Sequence, residues 1–170
     1  MSIPIDWLEV SAWAAMITAI GALIAIWLQN RSEAITRSLD MLLRLEEKFD
    51  SERMRTLRKA TAQGLLDGKL ADEAYYVLDF FEEIGLLLRY KAIHVEILFE
   101  SFYHSPQAYW FSSLKYINEM RVSNKEMYDN FEYLVERELD YASRKTGIST
   151  AVMKNQDFWK SYIVRETKHI

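Results

Sequence analysis

The stretch from Val10 to Leu28 carries no charged side chain. Nineteen such residues extend roughly 28 Å as a helix at ~1.5 Å per residue, close to the hydrocarbon thickness of a bilayer. This limits the chain more than any other feature, because an all-apolar helix is stable only where it is covered on every side. Trp7, Trp13 and Trp27 stand near the two ends, where amphipathic rings favour the headgroup region. A cleaved signal peptide needs a basic stretch ahead of the run, yet the first Lys or Arg is Arg31, and no small-x-small cleavage site closes it. A buried core helix rarely stays uncharged for so long. The expectation is a transmembrane anchor.

Asp6 and Glu9 precede the run, and Arg31, Arg37 and Arg44 follow it. By the positive-inside rule the C-terminal bulk is then cytoplasmic. At 100° per residue, Ser11, Ala15, Thr18, Ala22 and Ala25 share one face, opposite Trp13, Ile17, Ile20, Ile24 and Trp27. Lipid gives helices no hydrophobic reason to associate, so association depends on close backbone approach, which small side chains permit. The five small residues are therefore the expected oligomerisation or pore face, although Ala and Gly are also simply common in membrane helices.

Five Gly and two Pro in 170 residues leave few breaks, and the apolar positions recur at helical spacing. Ile35, Leu39, Leu42, Leu43 and Phe49 continue that spacing, so the anchor should extend into a stalk of about three to five turns. Ser51 reads as the N-cap of a second helix through Met54, Leu57, Leu65 and Leu66, ended by Asp67-Gly68-Lys69. Further helices are expected from about Asp72 to Tyr90, from Val95 to Phe102, and through Tyr109-Trp110-Phe111 to about Arg121. Ser123-x-x-Glu126 reads as a capping box for a last long helix closed by Gly147. The expected fold class is all-α: an N-terminal transmembrane helix running into a stalk, then a compact cytoplasmic helical bundle. The expected organisation is an anchor over 1–30, a helical domain over 31–146, and a C-terminal tail or docking segment over 147–170.

The absence of Cys excludes disulfides, thiolate nucleophiles, zinc fingers and iron–sulfur sites. A net charge of −4 argues against a general nucleic-acid binder. Arg89 and His94 form an R-x4-H pair, in which an Arg could stabilise developing charge and a His could move a proton. The plainer reading places Arg89 and Lys91 at a helix C-terminus, where cations are favoured, and has His94 cap the following helix. Glu96, Glu100 and His104, with Glu82 or Glu83, lack the Glu-x-x-His spacing of carboxylate bundles. They read as a solvated acidic face, and no metal or cofactor is expected. Phe99, Phe102, Tyr103, Tyr109, Trp110, Phe111 and Tyr116 lack the basic neighbours of a nucleobase platform and read as core.

The block Leu78-Asp79-Phe80-Phe81-Glu82-Glu83-Ile84-Gly85 through Arg89, followed by Tyr109-Trp110 and Asn130-Phe131-Glu132-Tyr133-Leu134, resembles a bacterial domain-of-unknown-function family. The resemblance covers roughly residues 10–145. It implies one membrane helix, a stalk and a compact helical domain, and lends no activity. In length, in its anchor and in Arg89 and His94, the chain is also similar to the membrane accessory protein family of type VI-B CRISPR systems, with its divergent HEPN-like motif. That similarity implies a non-enzymatic homo-oligomer in the bacterial inner membrane, an effector or pore that strengthens antiviral defence. The implied partners are the lipid bilayer, further copies of the chain, and a CRISPR effector or another defence protein. HEPN-type ribonucleases bring an Arg and a His at this spacing from two subunits onto the scissile phosphate. The alternative it implies is a membrane-tethered ribonuclease, although Tyr90 stands where that family usually has a polar residue. A membrane adaptor without a pore is the third reading.

Overall fold

The computed structural model describes the backbone over residues 7–168, with the side chains of 7–12, 14, 17, 30–32, 34 and 156–158 outside the described residues. The described chain is all-helical: α1 (Trp7–Asp50), α2 (Glu52–Leu66), α3 (Ala74–Arg89), α4 (Val95–Phe102), α5 (Ser105–Arg121), α6 (Asp129–Thr146), α7 (Thr150–Met153) and α8 (Gln156–Glu166). It divides into two units, Met1–Leu39 and Asp40–Ile170.

In the first unit every described side chain from 13 to 37 is exposed. Among the described residues, no helix is long and apolar enough to cross a membrane. Trp7, Asp6, Glu9 and Arg31, which supported the sequence reading of anchor and orientation, lie outside the described residues or have side chains that do.

The second unit opens on the last turns of α1, where Leu42, Leu45 and Phe49 are buried. They follow an i, i+3, i+7 stripe. Leu43, expected on that stripe, sits one residue off it and is 62 % exposed; Ile35, Leu39 and Leu66 are exposed as well. Ser51 joins α1 to α2. Its hydroxyl donates to the Lys48 carbonyl at 2.7 Å and accepts from the Met54 N–H at 3.2 Å, closing one helix and capping the next. Gly68, at φ +71°, supplies the left-handed residue beyond α2.

The core is built around α3, whose most extensive partner is α6. Phe49 stacks on Phe80 at 5.4 Å between ring centroids and meets Phe102 edge-on at 5.3 Å. Phe81 stacks on Phe131 at 5.1 Å, and Trp110 meets Phe131 edge-on. These are the geometries in which aromatic pairs gain beyond their area. Pro106 lies in the first turn of α5, where its missing N–H costs nothing.

Residues 147–170 contain α7 and α8. Trp159 and Ile163 are buried in the core, and the Trp159 indole N–H donates to the Met153 carbonyl at 2.7 Å. The Tyr109 hydroxyl donates to Glu166 Oε2 at 3.0 Å, and Glu166 pairs with Arg58 at 3.5 Å. The Arg58 guanidinium in turn lies 3.8 Å above the Phe49 ring. Burial first, then the Glu166 charge, pushes the Tyr109 hydroxyl above its ordinary range, which keeps it a donor.

Candidate functional site

Residues 78–89 and 127–133 form the most elaborated polar junction of the second unit. α6 begins after Tyr128, whose backbone is left-handed at φ 61° and whose side chain gives no cap. The first N–H groups of a helix have no partner inside it. Glu82, on α3, supplies one: Oε2 accepts from the Phe131 N–H at 2.7 Å, and Oε1 from the Asn130 N–H at 3.3 Å and side-chain amide at 2.7 Å. A carboxylate at this helix end also meets the positive pole of the helix dipole. The expected capping box does not form. The Ser123 hydroxyl donates instead to the Met120 carbonyl at the end of α5, and Asn124, not Ser123, receives the Glu126 N–H.

The surrounding residues tighten the same junction. A Cβ on Gly85 would lie 1.9 Å from the Asn130 carbonyl oxygen, so only glycine allows α3 and α6 this close. Arg121 donates through Nε to the Met127 carbonyl at 2.8 Å and through Nη2 to Asp129 and Glu132. Tyr128 donates to Asp79; burial raises both groups above their ordinary ranges, partly offset at Asp79 by that hydrogen bond. The carboxylates here are spent on hydrogen bonds and ion pairs. Among the described residues, no group of three or more His, Asp or Glu is placed to hold a metal.

Arg89 belongs to this junction. Its Nη2 donates to the Asp129 carbonyl at 3.1 Å, and its guanidinium lies 5.0 Å over the Tyr133 ring. His94 stands apart, on the far side of a turn in which Lys91 adopts φ 57° and donates to the Leu88 carbonyl at 3.0 Å. It occupies the N-cap position of α4 in extended backbone, exposed and without a side-chain capping bond. Among the described residues no hydrogen bond or ion pair joins Arg89 to His94 within one chain.

Glu96 and Glu100 are exposed, Glu100 pairs with Lys145, and the His104 ring lies 5.3 Å from the Trp159 ring. Of the aromatic group, Phe99, Phe102, Tyr109, Trp110 and Phe111 are buried, while Tyr103 is 58 % exposed. On the small-residue face Ala15, Thr18, Ala22 and Ala25 are exposed, and the Ser11 side chain lies outside the described residues.

A family model described as a domain of unknown function, DUF4760, matches residues 12–137. The chain belongs to the DUF4760 family. No curated protein and no solved structure matches it. The DUF4760 match takes in the whole α3–α6 junction and ends within α6, before α7 and α8. Glu82, Gly85 and Asn130 stood in the block that carried the family resemblance, yet their joint role was not visible there. The one local hint was negative, since Tyr128 is a residue type that cannot cap a helix.

Proposed function

We propose that this DUF4760 protein is a non-enzymatic, homo-oligomeric, single-pass protein of the bacterial inner membrane, with its C-terminal domain in the cytoplasm. Residues 10–28 are its anchor. Its role is a membrane effector, pore-forming in its active state, in CRISPR-associated antiviral defence.

The supporting observation is the exposure of α1: Ile20, Leu23, Ile24, Ile26, Trp27 and Leu28 are each more than half exposed. Apolar surface of this extent is stable where lipid or further copies of the chain cover it. The unbroken described run, 18–29, is twelve residues and would cover roughly 18 Å as a helix. A full crossing therefore draws on 10–17 as well, and the DUF4760 match begins among these residues at 12. Ala15, Thr18, Ala22 and Ala25 give α1 a slim face for close helix contact. The pore and the defence role rest on the similarity to the type VI-B accessory proteins.

Membranes from cells producing the full chain, washed with alkaline carbonate, should retain it. Recovery in the supernatant of a high-speed spin without detergent would remove the anchor, and with it the assembly and the defence role. The variant Ala22→Leu should lower the detergent-solubilised mass, and an unchanged mass counts against the small-residue face. Cells challenged with phage should lose membrane potential; a retained potential leaves the adaptor reading without a pore. RNA cleavage by the purified chain, abolished by His94→Ala, would move the function to a ribonuclease.

A further inference from the structure

The second unit holds a cavity of about 380 Å³ between α4, α5, α6, α7 and α8. We propose that it binds a small uncharged molecule with an apolar body and one hydroxyl or N–H group. This inference stands apart from the membrane reading and uses only residues after 98.

The walls are apolar. Phe99, Leu139, Ala142 and Trp159 line the cavity and are almost fully buried, and Met153 completes the lining from α7. Ile148 and Val152 leave further apolar surface open at the rim, at 48 % and 64 % exposure. Among the polar side chains that line it, Gln107 is the fully buried one. Gln107 is 1 % exposed and its Oε1 has no hydrogen-bond partner. A buried amide oxygen left unpaired is unfavourable, and a donor on a bound molecule would satisfy it. A mainly apolar chamber with a few placed polar groups is the common form of a small-molecule site, and the volume lies at the lower end of the roughly 300–1,000 Å³ such sites span.

The charges point to a neutral ligand. Glu100 and Lys145, which also line the cavity, pair with each other and cancel. Burial first, then the Arg165 charge, lowers the His104 pKa, so that ring is neutral at physiological pH. Tyr103 lies between α4 and α5 at φ 50°, ψ −109°, a conformation that opposes any residue with a Cβ. Its ring is held 3.9 Å from the His104 ring. Backbone strain of this kind persists where the surroundings over-determine it, and it clusters at ligand clamps.

The test uses the full chain in lipid nanodiscs, with 4-butylphenol and its methyl ether 4-butylanisole as probes and empty nanodiscs as the partition control. Equilibrium dialysis should show saturable uptake of one phenol per chain above the control. The ether, which has no donor, should bind about fivefold more weakly. Gln107→Leu should erase that preference, and Ala142→Trp, which fills the chamber, should abolish uptake while leaving the thermal transition in place. Uptake equal to empty discs would overturn the proposal, as would a cavity covered by a second copy and so closed to the phenol. Equal affinity of phenol and ether for the unmodified chain would overturn it without recourse to any variant.

Discussion

Leu23 and Leu78 are the same residue in the same secondary structure, one 67 % exposed and the other 0 %. The difference lies in their neighbours along the chain. α3 alternates its faces: Val77, Leu78, Phe81, Ile84 and Leu88 are buried while Asp79, Glu83 and Leu86 are exposed. A stripe of that width is satisfied by one or two partner helices, and α6 and α2 provide them. The run 10–28 has no polar face to leave in water. An amphipathic helix finds its cover within the chain, and a helix apolar all round asks for cover from outside. With the proposed anchor, the two units would answer to different solvents.

Two glycines put that contrast to its sharpest test. Gly85 faces backbone, with a Cβ placed 1.9 Å from the Asn130 oxygen, whereas a Cβ on Gly21 would meet nothing within 4 Å. Gly85→Ala should cost about 3 kcal/mol or more, because neither backbone can yield without separating α3 from α6. Gly21→Ala should change the same transition by less than about 0.5 kcal/mol. Guanidinium denaturation of the solubilised chain, followed by near-UV circular dichroism, measures both. A tolerated Gly85→Ala would mean that α3 and α6 do not cross this closely.

The next effect is at the cap. Glu82→Ala removes the acceptor for two backbone N–H groups and the Asn130 amide, which should cost about 2–3 kcal/mol by urea denaturation. Glu82→Gln keeps one acceptor oxygen and should lose roughly half of that. Ala22→Leu, which acts on the first unit, should leave this midpoint where it is. A shift there would couple the two units that the comparison holds apart.

How far the sequence foretold these features depends on where each partner lies. Ser51 caps its own helix three residues on, and Gly147 ends α6 in its own left-handed turn at φ 73°, so both were legible. The helix from Val95 to Phe102 was legible for the same reason, with Pro106 close behind it. Ser123-x-x-Glu126 carried the right residue types, but the cap comes from Glu82, 48 residues before Asn130, and no local spacing encodes that. The error over Leu43 was one residue of phase on a helix whose neighbouring leucines all looked equally apolar. Arg89 and His94 were found by spacing, which is silent about the turn at Lys91 that sets them on different elements. Gln107 and Glu138 are polar residue types at buried positions, and only the packed fold reveals them.

Glu138 carries the same contrast of cover and exposure into the bundle itself. It is 0 % exposed, neither carboxyl oxygen has a hydrogen-bond partner, and burial alone pushes its pKa well above 4.5. A side chain that would be unremarkable on a solvated face thus sits where water is excluded. Because its folded pKa is raised, its favourable contribution is fully present below the unfolded value near 4.5 and is lost as pH rises through the raised one. Near neutral pH the folded chain bears the cost of keeping this group protonated or of burying its charge. Glu138→Met fills a similar volume without that cost and should stabilise the bundle at pH 7 by about 1–3 kcal/mol. The gain should shrink as pH approaches 4.5, down to the part that comes from removing an unpaired buried carboxyl. His104 titrates in the opposite sense, its lowered pKa reducing stability as pH falls below 6.5, but it is common to both proteins and drops out of their difference. Paired thermal transitions at pH 4.5, 5.5 and 7 measure that difference. A gain that does not vary with pH would show that Glu138 keeps an ordinary carboxylate pKa and meets water after all.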